Sequence, residues 1–488
     1  MANAAPIPSD LPSPVSTAPS TPRIRLARIE ANIAALEVQL DRLRTEKEEI
    51  LRSLSAYPIL TIPPEITIAI FLSYIDTSPH VTRGRPSPVL LASVCRAWRA
   101  ISLGTGELWA RMHFTQDSFA RMREPMKLLD FHLTHAAKCL LDLYIELPEL
   151  AKLRDAAWAA LRPCSGQLRS LVLVLDRSSF LDGISESLPS LRKLDIQIRR
   201  RYENTVPIVA FAGAPQLREA HIMTLGKDLI SLPWQQLTAL TLEDHNFDNC
   251  LYILEETPRL QQLHLNPDMS AHEYAKPVGS FPTCTLPDLH TLRLSRDPHG
   301  WLIHHLALPR LKYFEMCMVS PEGVNAIDAL VCRSACEVHT FEISFVQPEE
   351  LRACLAALPT VRTLTLSGLN ISADQLKQLF SDLSGTVTGR PLLLPALTTL
   401  ILDRGFTSVD VHDLAAMLVA RWDNRYGARI TSFSVSFDFI VDHNWLIRDT
   451  LTRLRDLCRS GLTLSVFRAP RNPTLYLDSS FAADLLNH

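Results

Sequence analysis

The hydrophobic pattern of the chain changes period twice. Between residues 26 and 54, apolar side chains recur at alternating steps of three and four: Leu26, Ile29, Ile33, Leu36, Leu40, Leu43, Ile50 and Leu54, with Lys47 at the one interrupted position. That spacing predicts an amphipathic helix with a heptad seam. Two arrangements satisfy it, a coiled-coil homodimer through residues 26–54 or a single helix packed on its own chain. The flanking positions Glu30, Asn32, Glu37, Gln39, Arg44 and Glu46 make only a thin charge code between them. Pro58 ends the helix, because the residue before a proline is pushed out of the α region.

Beyond residue 160 a period of two sits inside a longer repeat, Pro-x-Leu-x-x-Leu-x-Leu. Copies include Pro189/Leu191/Leu194/Ile196, Pro258/Leu260/Leu263/Leu265, Pro287/Leu289/Leu292/Leu294, Pro359/Val361/Leu364/Leu366 and Pro395/Leu397/Leu400/Leu402. Most advance by about 20–29 residues, the period of leucine-rich repeats. In an x-Leu-x-Leu strand the leucines face one side and the x residues the other, so stacked strands build an apolar seam that no single repeat could bury. Helical returns are predicted over 321–332, 348–358, 372–383 and 409–422, two opening on Pro-Glu and one on Ser-x-Asp. Leu141–Leu147 alternates as a first strand, after a helix through Met126, Leu129, Phe131 and Leu133. The x positions then spell the opposite face: Lys193, Asp195, Glu219, His221, Gln262, His264, Arg293, Tyr313, Glu315 and Glu342. A long, polar face of mixed charge suits a protein or peptide substrate better than a small molecule.

Between these two patterns lies a third. Pro63 and Pro64 suit the first turn of a helix, Glu65 complements its dipole, and Ile66, Ile70, Phe71 and Tyr74 follow on that helix. A loop rich in Pro and Gly precedes a second helix carrying Leu90, Leu91, Val94, Cys95, Trp98 and Ile101. Helices this small cannot bury both Trp98 and Trp109 alone, so a neighbour is expected.

The series Ile62-Pro63-Pro64-Glu65-Ile66, Ile70-Phe71, Val94-Cys95-Arg96-Ala97-Trp98-Arg99 and Leu108-Trp109 resembles an F-box, with Ile62 where leucine is usual and a longer inter-helix loop. Joined to the repeats, it is similar to the F-box proteins with leucine-rich repeats, and the heptad helix before it resembles the layout of fungal members. The resemblance implies a three-helix module that binds a Skp-type adaptor and, through it, a cullin. Pro63, Ile66, Ile70, Phe71, Leu90 and Val94 would face the adaptor, with Trp98 and Trp109 bracing the helices and turned toward the repeats. It implies a substrate receptor with no catalytic residue and no cofactor. The fold class expected is therefore α/β: a disordered leader (1–22), the heptad helix (23–57), a helical F-box (58–115), a helical connection (116–160), an irregular leucine-rich-repeat horseshoe (161–468) and a terminal cap (469–488).

Composition narrows the partners. Apolar residues make up 47% of the 488 and the net charge is only −3, which gives no global attraction to nucleic acid or an anionic membrane. Ten cysteines without paired spacing and no secretory signal lead to an expectation of reduced thiols in the cytosol or nucleus. Arg199-Arg200-Arg201 reads as a solvated strand end. Cys332-x-x-x-Cys336 reads as buried helix cysteines, since a second ligand pair for zinc is missing. No nucleophile elbow, phosphate loop or paired-carboxylate signature occurs.

Overall fold

The structure, a computed structural model, describes residues 22–55, 62–76, 87–115, 124–146, 151–175, 187–199, 207–225, 227–268, 282–369, 371–385, 392–403, 411–423, 427–437 and 448–468. The expected leader, except for residue 22, and the expected cap at 469–488 lie outside these. Two compact units meet in sequence at Thr105/Gly106.

The first unit is helical: α1 (Pro22–Ser55), α2 (Pro64–Asp76), α3 (Pro88–Val94) and α4 (Arg96–Gly104). Pro64 opens α2 where its missing N–H costs nothing, and the Pro63 carbonyl accepts from the Ile66 and Thr67 amides. Ser87 caps α3 by accepting from the Leu90 amide, with Pro88 in the first turn. The single helix expected over 90–101 is in fact two. Cys95 is extended (φ −155°, ψ 172°), and its Sγ accepts from the Trp98 amide at 3.4 Å to start α4. The periodicity continues unbroken through Cys95, so the capping geometry alone marks the break.

The second unit begins with the short helix α5 (Gly106–Trp109) and then the strands β1 (Arg111–Phe114), β2 (Leu141–Glu146), β3 (Leu168–Leu175), β4 (Lys193–Ile198), β5 (Glu219–Met223), β6 (Ala239–Glu243) and β7 (Gln262–Asn266). It continues through β8 (Cys284–Thr285), β9 (Thr291–Leu294), β10 (Leu306–Ala307), β11 (Tyr313–Cys317), β12 (Thr340–Ser344), β13 (Thr363–Ser367), β14 (Thr399–Asp403), β15 (Ser432–Phe437) and β16 (Thr463–Arg468). Among the described residues fourteen strands form one sheet in chain order, while β8 and β10 pair separately. Every pairing from β1 to β16 is parallel. The sheet starts one strand earlier than the alternation at 141–147 predicts, because β1 pairs with β2.

Each leucine of the repeat builds a column. Leu194, Ala220, Leu240, Leu263, Leu292, Phe314, Phe341, Leu364 and Leu400 stand in register, and all are buried. Ile196, Ile222, Leu242, Leu265, Leu294, Met316, Ile343, Leu366 and Leu402 make the second column. The leucine of Pro-x-Leu, as in Leu191, Leu260, Leu311 and Leu397, lies just before the strand and is fully buried. Registration follows from this, because a one-residue slip would move every leucine to the opposite face.

The returns Pro321–Ser334, Pro348–Ala357, Ala373–Ser384 and Val411–Trp422 are helices, as predicted. Ser320 caps the first, and Ser372 with Gln375 forms a capping box at the third. Cys336 is buried just past the first of these helices, but Cys332 is exposed on it, so that pair is not jointly buried as expected. No helix among the described residues is long and apolar enough to cross a membrane.

Candidate functional site

Two surfaces stand out, one in each unit. In the first unit, α2 buries Phe71 edge-on against Trp98, with ring centroids 4.8 Å apart, while Leu91 of α3 is buried as well. The complementary stripes stay in solvent. Ile66 and Ile70 lie one turn apart on α2, Leu90 and Val94 one turn apart on α3, and all four are 47–58% exposed. Pro63 is exposed too, and Val89 and Tyr74 extend the set.

Phe71 therefore does not belong to the adaptor-facing surface assigned to it above. It is 1% exposed, because the 3.6-residue period turns position 71 inward while 66 and 70 face out. Trp98 is half-buried and does brace the helices, through Phe71. Trp109 is a core residue of the second unit. Its indole meets the rings of Phe131, His132 and His135 at 4.9–5.2 Å, all on the helix Pro125–Ala136.

In the second unit, the register places all ten of the polar positions singled out from the sequence on the face of the sheet opposite the leucine columns. One row runs Lys193, Glu219, Ala239, Gln262, Thr291, Tyr313, Thr340 and Thr363. The next runs Asp195, His221, Thr241, His264, Arg293, Glu315, Glu342 and Thr365. The charged half of this face gives way to hydroxyls towards the C-terminus, with Thr399, Ser432 and Thr463 continuing the first row.

Strand spacing of about 4.8 Å brings these side chains within reach of one another. His221 Nδ1 lies 3.0 Å from Asp195 Oδ2, and its Nε2 lies 3.6 Å from Glu243 Oε1. Burial alone would lower the His221 pKa, but hydrogen bonding and charge from Asp195, then Glu243, outweigh it and raise it. His264, whose Nε2 is 3.1 Å from Ser295 Oγ, is shifted the other way, chiefly by burial. Arg293 Nε approaches Glu315 Oε2 at 3.2 Å and its guanidinium stacks 5.2 Å from the Tyr313 ring centre. The Tyr313 hydroxyl donates to Glu315 at 2.9 Å, and burial together with Glu342 and Glu315 raises its pKa. Where the outward residues are small, at Ala239, Thr241 and Thr291, the face opens into a hollow of about 370 Å³ rimmed by Gln262, His264 and Arg293. Among the described residues no group of His, Cys, Asp and Glu could hold a metal ion.

One feature of the face escaped the sequence pattern. Thr224, Asp244, Met318, Phe345 and Gly368 each follow the fifth residue of a strand, and each has φ between 52° and 68°. For a bulky residue this left-handed backbone costs roughly 1–2 kcal/mol. Phe345 adopts it while 63% exposed, and Met318 while 41% exposed. The Phe345 ring lies over Gly368, where a Cβ would come within 2.7 Å of it. The repeat frame locates the position, but nothing in its residue types marks the conformation. Gly368→Ala is expected to lower stability by about 1–2 kcal/mol, whereas Phe345→Gly should be neutral or stabilising. Urea unfolding of the two variants checks the contrast, and equal losses would contradict it.

No family model matches the chain, and no curated protein matches it. Among solved structures, the crystal structure of a TLR13–ssRNA13 complex is similar at 14% identity, with a TM-score of 0.38 over 73% of this chain. The match covers 48% of that protein, so the chain spans about half its length.

Proposed function

We propose that the chain is a non-catalytic, substrate-recruiting subunit of a cullin-RING (SCF-type) ubiquitin ligase, working in the cytosol or nucleus. In this reading α2–α4 form an F-box that docks a Skp-type adaptor, and the sheet is a leucine-rich-repeat array whose polar face holds a protein substrate. The observation that supports it most is the division of labour in the first unit. Phe71, Leu91 and Trp98 pack inward, leaving Ile66 and Ile70 on α2 and Leu90 and Val94 on α3 as uncovered apolar stripes. Exposed apolar patches of this kind mark interaction sites. His221, His264, Arg293 and Tyr313 give the sheet face the polar variety that peptide recognition needs.

Ile66→Asp combined with Val94→Asp is expected to weaken adaptor binding about 100-fold or more, since two buried aliphatic contacts contribute about 3 kcal/mol together. The Phe71–Trp98 core is untouched by these changes, so helicity should be retained. Titration of purified adaptor against the full chain measures the effect, and wild-type affinity in the double variant would sink the reading. A second reading, a scaffold dimerised by α1 that binds proteins without ubiquitination, uses the same sheet face. It is favoured if the chain dimerises and the adaptor does not bind.

A further inference from the structure

We propose that α1 pairs with α1 of a second copy of this chain in a parallel, in-register, two-stranded coiled coil. The inference goes beyond the adaptor reading and uses no residue of α2–α4. α1 is a continuous helix of 34 residues, yet every seam residue from Leu26 to Ile50 other than Lys47 is a large apolar side chain 49–63% exposed. The polar faces are equally open, so the helix has solvent on all sides over 22–50. Most helical stability in proteins comes from packing an amphipathic face. A seam left open over about three and a half heptads lacks the contact its sequence is built for.

The seam also says which partner fits. Its period is 3.5 residues, which suits another helix of the same period rather than a flat sheet or a globular surface. Taking Leu26, Ile33, Leu40 and Lys47 as a positions and Ile29, Leu36, Leu43 and Ile50 as d positions puts Arg25 at g and Glu30 at the following e. In a parallel dimer those two face each other on both sides of the coil, as opposite charges. The next pairs, Asn32 with Glu37 and Gln39 with Arg44, bring no like charges together. Lys47 then forms a single polar a layer beside Glu46 of each helix, a device that sets register and oligomeric state at a cost in stability. Running the same seam antiparallel would place Glu37 against Glu37 of the partner and bury each Lys47 against Ile29. A dimer would give one particle two sheet faces, so a substrate with two matching segments would be held with avidity.

Light scattering of the full chain tests this. The wild type is expected at twice the chain mass, and Leu36→Glu with Leu40→Glu at the chain mass. Because both substitutions fall at exposed positions of α1 and outside the sheet unit, the thermal unfolding of the sheet should not move in that variant, which separates loss of pairing from loss of fold. Arg25→Glu alone should raise the dissociation constant at least tenfold, and adding Glu30→Arg should restore it. Lys47→Ile should lower it at least tenfold. A monomeric wild type overturns the proposal, as does a dimer that survives Leu36→Glu with Leu40→Glu. A dimer indifferent to Arg25→Glu overturns the parallel register.

Discussion

Trp109→Ala should cost the second unit about 3–5 kcal/mol, the range for deleting a fully buried tryptophan. Trp109 is 0% exposed, and its ring is enclosed by Phe131, His132 and His135 of one helix. The helix Pro125–Ala136 and β1 are the elements nearest the hole, so the loss should be local at first. Repeat arrays are held by nearest-neighbour contacts, and an end can fray while the middle stays folded. Hydrogen exchange on the full chain should therefore show protection lost over β1, β2 and 125–136, with β9–β14 still protected. Uniform loss across the sheet would mean that the array unfolds as one cooperative body. Trp98→Ala, at a half-buried site, should cost less and leave β1 and β2 unaffected.

His132 should make the same region acid-labile. It is 8% exposed, sits edge-on 4.9 Å from Trp109, and its pKa is lowered to about 4, first by burial, with the Trp109 backbone hydrogen bond opposing and nearby His135 adding to the drop. Its Nδ1 has no hydrogen-bond partner among the described residues. An unfolded histidine titrates near 6.5, so the neutral, buried form contributes stability that is complete above that pH. The contribution is lost as pH falls from 6.5 through about 4, because the unfolded chain takes up the proton first. The shift corresponds to about 3 kcal/mol. His132→Leu should flatten this acid limb, and urea unfolding at pH 7.5 and 4.5 with tryptophan fluorescence reads it. An unchanged acid limb would count against the assignment. Asp297 works in the opposite direction. Fully buried and raised to about 6 by that burial, it contributes stability below its unfolded pKa that is lost as pH rises through 6. Hydrogen exchange at 125–136 and at Asp297, which caps the Trp301 and Leu302 amides, separates the two sites.

The repeat frame was legible because each Pro-x-Leu-x-x-Leu-x-Leu copy commits three residues to the core at fixed offsets. Leu260, Leu263 and Leu265 could be placed without knowing any neighbour, and Gln262 and His264 then had to face the other way. The helical unit was harder to read. Ile66, Ile70 and Phe71 are all apolar and close together, so periodicity shows a stripe but not which edge of it packs. The contact between Phe71 and Trp98, 27 residues apart, settled that. Cys95 falls on the helical period of its neighbours, and its cap is a matter of backbone angle and hydrogen bonding rather than hydrophobicity. The alternating pattern ends with the strand at Ser344 and so carries no signal for Phe345.

By itself the sequence determined the sheet face of each repeat residue, the helical returns and the heptad seam of α1, since these follow from local period and stereochemistry, whereas that the seam is uncovered came from the structure. Only the tertiary structure decided that Phe71 is core, that Trp109 belongs to the sheet unit, that His132 is neutral at ordinary pH and that Phe345 stands in solvent. Those outcomes depend on which distant segments surround a side chain and remove its water, and no local period encodes that.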